Sequence, residues 1–147
     1  MGAGVVRRAL LDNSAWARLR PPSTVPAARR AEVARAVQAG DIFVCVPFLL
    51  EAYYSARSAT EHEELRCELE ALPLVRIDEE VEERALDAQG QLARSGHRRL
   101  SPADVMIATM ADRFELDVLH YDADFDTIAS KTDLEFGSVW VAKRGSL

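Results

Sequence analysis

Apolar and polar positions along this chain come in blocks that switch between the spacing of a buried strand and that of an amphipathic helix. Residues 7–12 read as a short strand, in which Ala9-Leu10-Leu11 leads into the polar Asp12-Asn13-Ser14. Arg20-Pro21-Pro22-Ser23 is a break, and residues 26–39 have helical composition closed by Gly40. Residues 42–46 are apolar throughout and rich in β-branched side chains, as in a strand buried on both faces. Pro47 then opens a helix over residues 48–57. A charged helix is predicted over residues 61–71 and a strand over 74–77. Asp78 caps a helix over 79–95 that stops at Gly96, and Ser101-Pro102 starts another running to about residue 115. A strand at 118–121, a short helix at 126–131 and a final strand at 138–142 complete the pattern, while residues 1–6 are expected to fray.

Strands that alternate with helices imply a parallel sheet with helices on both sides. The expected fold class is therefore α/β, a three-layer α/β/α sandwich around a central parallel sheet. No repeat, low-complexity tract or linker divides the 147 residues, so one domain over residues 1–147 is expected.

Composition narrows the class. With 48% hydrophobic and 29% charged residues, the chain can bury a core and is not disordered. The most apolar stretch, residues 42–50, is broken by Pro47 and followed by Glu51, well short of the roughly 20 apolar residues a membrane span needs. Arg7 and Arg8 precede only a short apolar run before Asp12, unlike a signal peptide, and Val6 stands where a myristoylation signal needs Ser or Thr. A cytoplasmic protein with no membrane contact is the expectation. Cys45 and Cys67 have no metal-type spacing; Cys45 reads as a small buried hydrophobe, and no disulfide is expected.

The net charge of −6 opposes binding of nucleic acid by bulk attraction. Distribution matters more than the sum, because basic residues cluster at Arg18 and Arg20, at Arg29, Arg30 and Arg35, and at Arg94, His97, Arg98 and Arg99. The acidic runs at 61–70 and 78–83 read as solvated helix faces.

The candidate chemistry lies in where other acids fall. In a parallel sheet the C-terminal ends of the strands and the N-termini of the following helices share one edge, where ligand sites form. Asp12 ends the first strand, and Glu51 lies one turn into the helix after the second. Asp104 is in the first turn of the helix begun by Ser101-Pro102, and Asp122 and Asp124 follow the strand at 118–121. Each has a structural alternative. Asp12 can be an N-cap or part of an Asp-Asn-Ser turn, and Ser101-x-x-Asp104 a capping box. Asp122-Ala123-Asp124 can be a turn with Asp126 as a helix cap, and Glu51 can be paired to Arg57 or Arg18. Together they have a physical problem: at ~4 Å two like charges repel by ~1 kcal/mol in water and by ~4 at an effective dielectric of 20. Such a cluster binds a cation or keeps protons. All-oxygen ligation favours Mg²⁺ or Mn²⁺ over zinc, and an ion so held suits hydrolysis of a phosphodiester.

With these residues in this order, the sequence resembles the PIN-domain ribonucleases, and among them the VapC toxins of bacterial toxin–antitoxin pairs. The resemblance is carried by Leu11-Asp12-Asn13-Ser14, by Glu51 in its apolar helix, by Ser101-Pro102-Ala103-Asp104 running into Ile107-Ala108, and by Asp122-Ala123-Asp124-Phe125. It runs from about residue 10 to 129. It implies a homodimer, a Mg²⁺ or Mn²⁺ cofactor, cleavage of a structured RNA such as transfer or ribosomal RNA, and inhibition by a small VapB-like antitoxin. It also implies Asp12, Glu51, Asp104 and Asp122 as the catalytic acids with Asp124 as a fifth. Asp12, Asp104 and Asp122 would be the metal ligands, and Ser14, with Asn13 beside it, the support for the first Asp. His120 departs from the pattern, standing where a small polar residue is more usual. Arg94, Arg98 and Arg99, just before the Asp104 helix, are candidate phosphate contacts, with solvated arginines as the alternative. Tyr53 and Tyr54 can stack on a base or belong to the core, and Trp16 to the core or a dimer interface. Competing readings are a receiver or haloacid-dehalogenase-like phosphotransferase, a catalytically silent PIN-like module, and a housekeeping RNA-processing nuclease. The first wants paired acids or Asp-x-Asp after the first strand, where this chain has Asp12-Asn13-Ser14.

Overall fold

The structure, a computed structural model, describes residues 4–147. Its sheet consists of β1 (Ala9–Leu11), β2 (Ile42–Phe43), β3 (Asp117–His120) and β4 (Ser138–Trp140), all parallel and ordered β2-β1-β3-β4. Helices occupy the crossovers: α1 (Asn13–Leu19) and α2 (Ala27–Gln38) before β2, then α3 (Val46–Tyr54), α4 (Ala59–Leu69), α5 (Glu79–Arg94) and α6 (Pro102–Arg113) before β3, and α7 (Asp124–Lys131) before β4. This is the α/β sandwich the alternating pattern predicts. The apolar strands are buried, as both-face coverage requires: Leu10, Ile42, Val118 and Leu119 are at most 1% exposed. Phe48 of α3, Ile107 and Met110 of α6, and Phe125 and Ile128 of α7 fill the same contiguous core. Each fully buried side chain of this size stabilises the fold by ~1.5–3 kcal/mol relative to exposure.

Helix ends follow local chemistry. Gly40 and Gly96 take positive φ (75° and 88°), the conformation a helix-terminating glycine adopts at least cost. The closing bonds are Asp41 N–H to the Ala36 carbonyl (2.9 Å) and His97 N–H to the Leu92 carbonyl (2.8 Å). Asp78 caps α5 by accepting from Val81 N–H at 2.9 Å. The acidic residues of α4 and α5 lie largely on solvated faces, as expected.

Some expectations change. The strand expected at 74–77 is reduced to one bridge, Val44 to Leu74, because the chain turns into α3 right after β2 and offers it no longer edge. Residues 13–19 form a helix that pattern reading did not assign, since seven residues are too few to display a 3.6-residue period. α7 starts at Asp124 rather than at 126, so Asp126 lies inside the helix and is not its cap. Of the stretch expected to fray, residues 1–3 lie outside the described residues. Val6 is buried, and its N–H donates to Glu32 Oε1 at 3.2 Å. Cys45 is buried and Cys67 exposed, and neither is in a disulfide. No described helix is long and apolar enough to cross a membrane.

Candidate active site

The strand order determines where a site can form. From β1 the chain moves to β2 on one side, then crosses back to β3 on the other, so the connections diverge between β1 and β3. Beyond the carboxyl ends of such a pair the loops part and leave a crevice. Asp12 immediately follows β1 and Asp122 lies just past β3, on either side of it. The two strand ends are tied together, with Asp12 N–H donating to the Leu119 carbonyl (3.0 Å) and Tyr121 N–H to Ser14 Oγ (2.8 Å).

Asp12 is both a cap and a candidate ligand. Its Oδ2 accepts from Ser14 N–H (2.9 Å), which starts α1, and from the Ser14 hydroxyl (2.5 Å). Its Oδ1 is buried and has no hydrogen-bond partner. A lone pair left bare in this way costs on the order of 1–3 kcal/mol or more unless something electropositive meets it. Burial pushes the Asp12 carboxyl above its usual range, the Ser14 bonds oppose this, and Asp122 adds to it.

Asp104 occupies the first turn of α6 and is only 7% exposed. Ser101 makes no side-chain cap, so the capping-box alternative does not hold. Burial first, then the negative charges of Asp12, Asp122, Glu51 and Asp124, pushes the Asp104 carboxyl up to about 8. Asp104, Asp122 and Asp124 each offer an oxygen such that all lie within 4.8 Å of one another. Asp122 Oδ1 also accepts from Asp124 N–H at 2.9 Å, which fixes their turn. Asp124 is raised by burial and by Asp122, with His97 opposing. Glu51 of α3 stands half-buried, raised by burial and then by Asp12. Neither arginine expected as its partner takes that role. Arg57 pairs with Glu61, and Arg18 donates to the Ser14 carbonyl and lies over the Tyr121 ring at 4.3 Å.

Arg98 and Arg99, with His97, Leu100 and Asp124, line an open groove of about 700 Å³ running up to the acids. Arg94 is not part of that lining; its guanidinium lies by Gly90 on α5. Asn13, Leu50, Glu51 and Tyr54 line a second recess of about 320 Å³, where Tyr54 is 91% exposed. Tyr53 instead packs partly on the core and donates to Glu70 at 2.9 Å. A third, apolar groove of about 260 Å³ runs past Trp16, Leu19, Val33, Val37, Leu69 and Leu72. The indole N–H of Trp16 is buried without an acceptor.

Sequence reasoning did not anticipate the polar network behind Asp122. His120 is fully buried and is pushed down to about 4, because burial disfavours its charged form more than Asp126 and Asp122 favour it. The readable signal was the two-residue spacing of Ser138 and Trp140, which puts both side chains on one face of β4, beside His120 on β3.

Comparison with known proteins agrees with this architecture. The profile of the PIN domain matches residues 9–131. Ribonuclease VapC18 of Mycobacterium tuberculosis is 35% identical over 93% of this chain and 97% of its own length. Ribonuclease VapC51 of the same organism is 37% identical, over 94% and 96%. The chain therefore belongs to the PIN-domain family, and within it to the VapC ribonucleases. Among solved structures, DNA-bound VapBC from Salmonella typhimurium superposes with a TM-score of 0.70 at 17% identity, covering 92% of this chain and 99% of that one. Mycobacterium tuberculosis VapC20, described as a sarcin-ricin loop cleaving toxin, gives 0.58 at 16% identity, covering 81% and 93%. At these identities the likeness concerns the fold.

Proposed function

We propose that this protein is a metal-dependent endoribonuclease toxin that hydrolyses phosphodiester bonds in a structured RNA, transfer or ribosomal, and is neutralised by a cognate VapB-like antitoxin. The observation that carries the proposal is the convergence of Asp12, Asp104, Asp122, Asp124 and Glu51 on the crevice between β1 and β3, with one buried Asp12 oxygen left unpaired. An all-carboxylate donor set with an unsatisfied buried oxygen fits a hard divalent cation, Mg²⁺ or Mn²⁺. Asp12, Asp104 and Asp122 would hold it, with Asp124 close enough to share the task. When bound, the ion supplies Lewis acidity toward water and toward the phosphate oxygens.

The chain's own residues do the rest. Ser14 holds Asp12 Oδ2 and leaves the buried Oδ1 free for a cation, while Asn13 lines the recess beside Glu51. Glu51, partly exposed and outside the close group of Asp104, Asp122 and Asp124 while still near enough for its charge to act on Asp104, is placed to accept a proton at the crevice edge. Arg98 and Arg99 offer guanidinium groups along the groove that ends at Asp124, where an RNA backbone would bring its phosphates. Exposed Tyr54 can lie against a base near Glu51. The apolar groove beside Trp16 suits an inhibitory peptide whose apolar residues fill it and whose carbonyl meets the indole N–H. Such a peptide would reach the acids with an Arg or Lys. A homodimer acting in the cytoplasm completes the reading.

The test is cleavage of total cellular RNA by the purified protein, with added Mg²⁺ or Mn²⁺ and with a chelator. Discrete products that require metal and vanish in Asp104→Asn are expected. Cleavage that persists in the chelator or in that variant would refute the assignment.

A further inference from the structure

Asp122 and Asp124 leave β3 through a turn in which the amides of Tyr121, Asp122 and Asp124 are each tied to a side chain. Tyr121 N–H donates to Ser14 Oγ (2.8 Å), Asp122 N–H to His120 Nδ1 (3.1 Å) and Asp124 N–H to Asp122 Oδ1 (2.9 Å). The His120 contact ties this turn to the edge of the sheet. His120 Nε2 is 2.7 Å from Ser138 Oγ on β4, and that hydroxyl donates to Asp126 Oδ1 of α7 at 2.6 Å. The other oxygen of Asp126 accepts from Trp140 Nε1 at 3.1 Å. The ring lies 4.9 Å from the Phe125 ring and 5.0 Å from that of Trp140, centroid to centroid, and is fully buried.

The partners dictate the protons. A backbone N–H can only donate, so Nδ1 must be the bare nitrogen and the ring proton must sit on Nε2. Nε2–H then donates to Ser138 Oγ, which leaves the hydroxyl proton for the Asp126 carboxylate, an obligate acceptor when ionised. Every donor in the chain from Asp126 to Asp122 thus has one acceptor, and reversing the tautomer would set two donors against each other at Asp122. A histidine that merely filled the core would need no such order.

We propose that His120 is a positioning residue for the metal site: its Nδ1 anchors the main chain at Asp122, so that the Asp122 and Asp124 carboxylates converge on Asp104. Ser138 and Asp126 hold the tautomer that makes this possible. The inference rests on the reading of those acids as metal ligands, and partners behind such ligands commonly matter to affinity.

The experiment has two readouts. Nitrogen-15 NMR of the unmodified, metal-free protein should show His120 as the Nε2–H tautomer, and the Nδ1–H tautomer would overturn the proposal. Because it uses the unmodified protein, this arm is immune to variants that fail to fold. The second readout is Mn²⁺ affinity by titration calorimetry, on variants first checked for cooperative melting. His120→Asn places an amide oxygen near the Nδ1 position and should bind Mn²⁺ nearly as well as the parent. His120→Gln reaches Ser138 but loses the acceptor for Asp122 N–H, and should bind about 10- to 100-fold more weakly. Equal loss in both variants, or no loss in His120→Gln, would refute positioning through Nδ1. Ser138→Ala leaves Nε2–H without its acceptor while Asp122 N–H still forbids a proton on Nδ1. The ring should then be held less firmly and Mn²⁺ should bind more weakly than to the parent; an unchanged affinity would remove Ser138 and Asp126 from the device. Failure of the parent to bind Mn²⁺ would overturn the metal reading instead, while the tautomer measurement still decides the arrangement of His120.

Discussion

Replacing Asp104 by Asn keeps the side chain's size and removes its charge from the most crowded point of the site. In the folded protein without metal the Asp104 carboxyl is pushed up to about 8, from 3.8 for the free side chain, by burial first and then by Asp12, Asp122, Glu51 and Asp124. The folded state therefore holds this proton more tightly than the unfolded chain does. Its stabilising effect is fully present below about pH 4 and is lost as pH rises through 8. Each pKa unit is worth ~1.4 kcal/mol, so this one group should cost the metal-free protein at most about 2 kcal/mol of unfolding free energy between pH 6 and 8. Asp104→Asn cannot titrate, so its stability should fall by about that much less over the same interval. The other raised carboxyls, Asp12, Glu51 and Asp124, remain in the variant, so the difference between the two slopes isolates Asp104. Urea unfolding followed by tryptophan fluorescence in chelator, at pH 6, 7 and 8, measures both slopes. Saturating Mg²⁺ should flatten the parent's slope, because a bound cation favours the ionised carboxylate. Parallel slopes for parent and variant would refute the electrostatic account, whatever the activity of either protein.

Three further outcomes are expected. In Asp12→Asn, relief of repulsion should leave the metal-free melting temperature no lower than the parent's. The Mg²⁺-induced rise, which follows ln(1 + [Mg²⁺]/Kd), should shrink, and an undiminished rise would take Asp12 out of the site. Replacing Arg98 and Arg99 together with Ala should weaken RNA binding and reduce the slope of log K against log salt by about 1.4–1.8, since two fewer counterions are released, with Mn²⁺ affinity unchanged. An unaltered slope would mean that these arginines touch no phosphate. Raising Mg²⁺ at fixed ionic strength should weaken antitoxin inhibition if a cationic side chain of the inhibitor competes for the Asp12 and Asp104 carboxylates. Indifference to Mg²⁺ would move the inhibitory contact to the apolar groove by Trp16 or to another surface. The fixed ionic strength matters because salt alone screens exposed pairs over ~8–10 Å.

The signals legible in the sequence are those that act within a few residues. Gly40 and Gly96 stop their helices, and Asp78 and Asp12 start theirs, because caps depend on neighbours one turn away, whereas the apolar run at 42–46 forms a strand only over Ile42–Phe43 before Val46 opens α3. Such signals also gave the order of strands and helices, and hence the side of the sheet on which the acids must fall. They misjudged the segment at 74–77, whose β-branched composition suits a strand that the short β2 edge does not accommodate. They also passed over α1, whose start the Asp12 cap announced but whose length shows no period.

Only the tertiary structure decided which acids meet. Asp12, Asp104 and Asp122 lie far apart along the chain, and no local rule says whether their oxygens come within ligand distance. That depends on the order β2-β1-β3-β4 and on the packing of α6 against β1 and β3. Packing grouped Asp124 with Asp104 and Asp122, left one Asp12 oxygen bare, and turned Arg94 back toward Gly90. It also moved Asp126 from an expected helix cap into the network with Ser138 and Trp140. The residue types and their order along the chain were enough to point to the chemistry. Their distances, burial and proton positions arise from long-range packing, in which each contact depends on elements that local sequence does not specify.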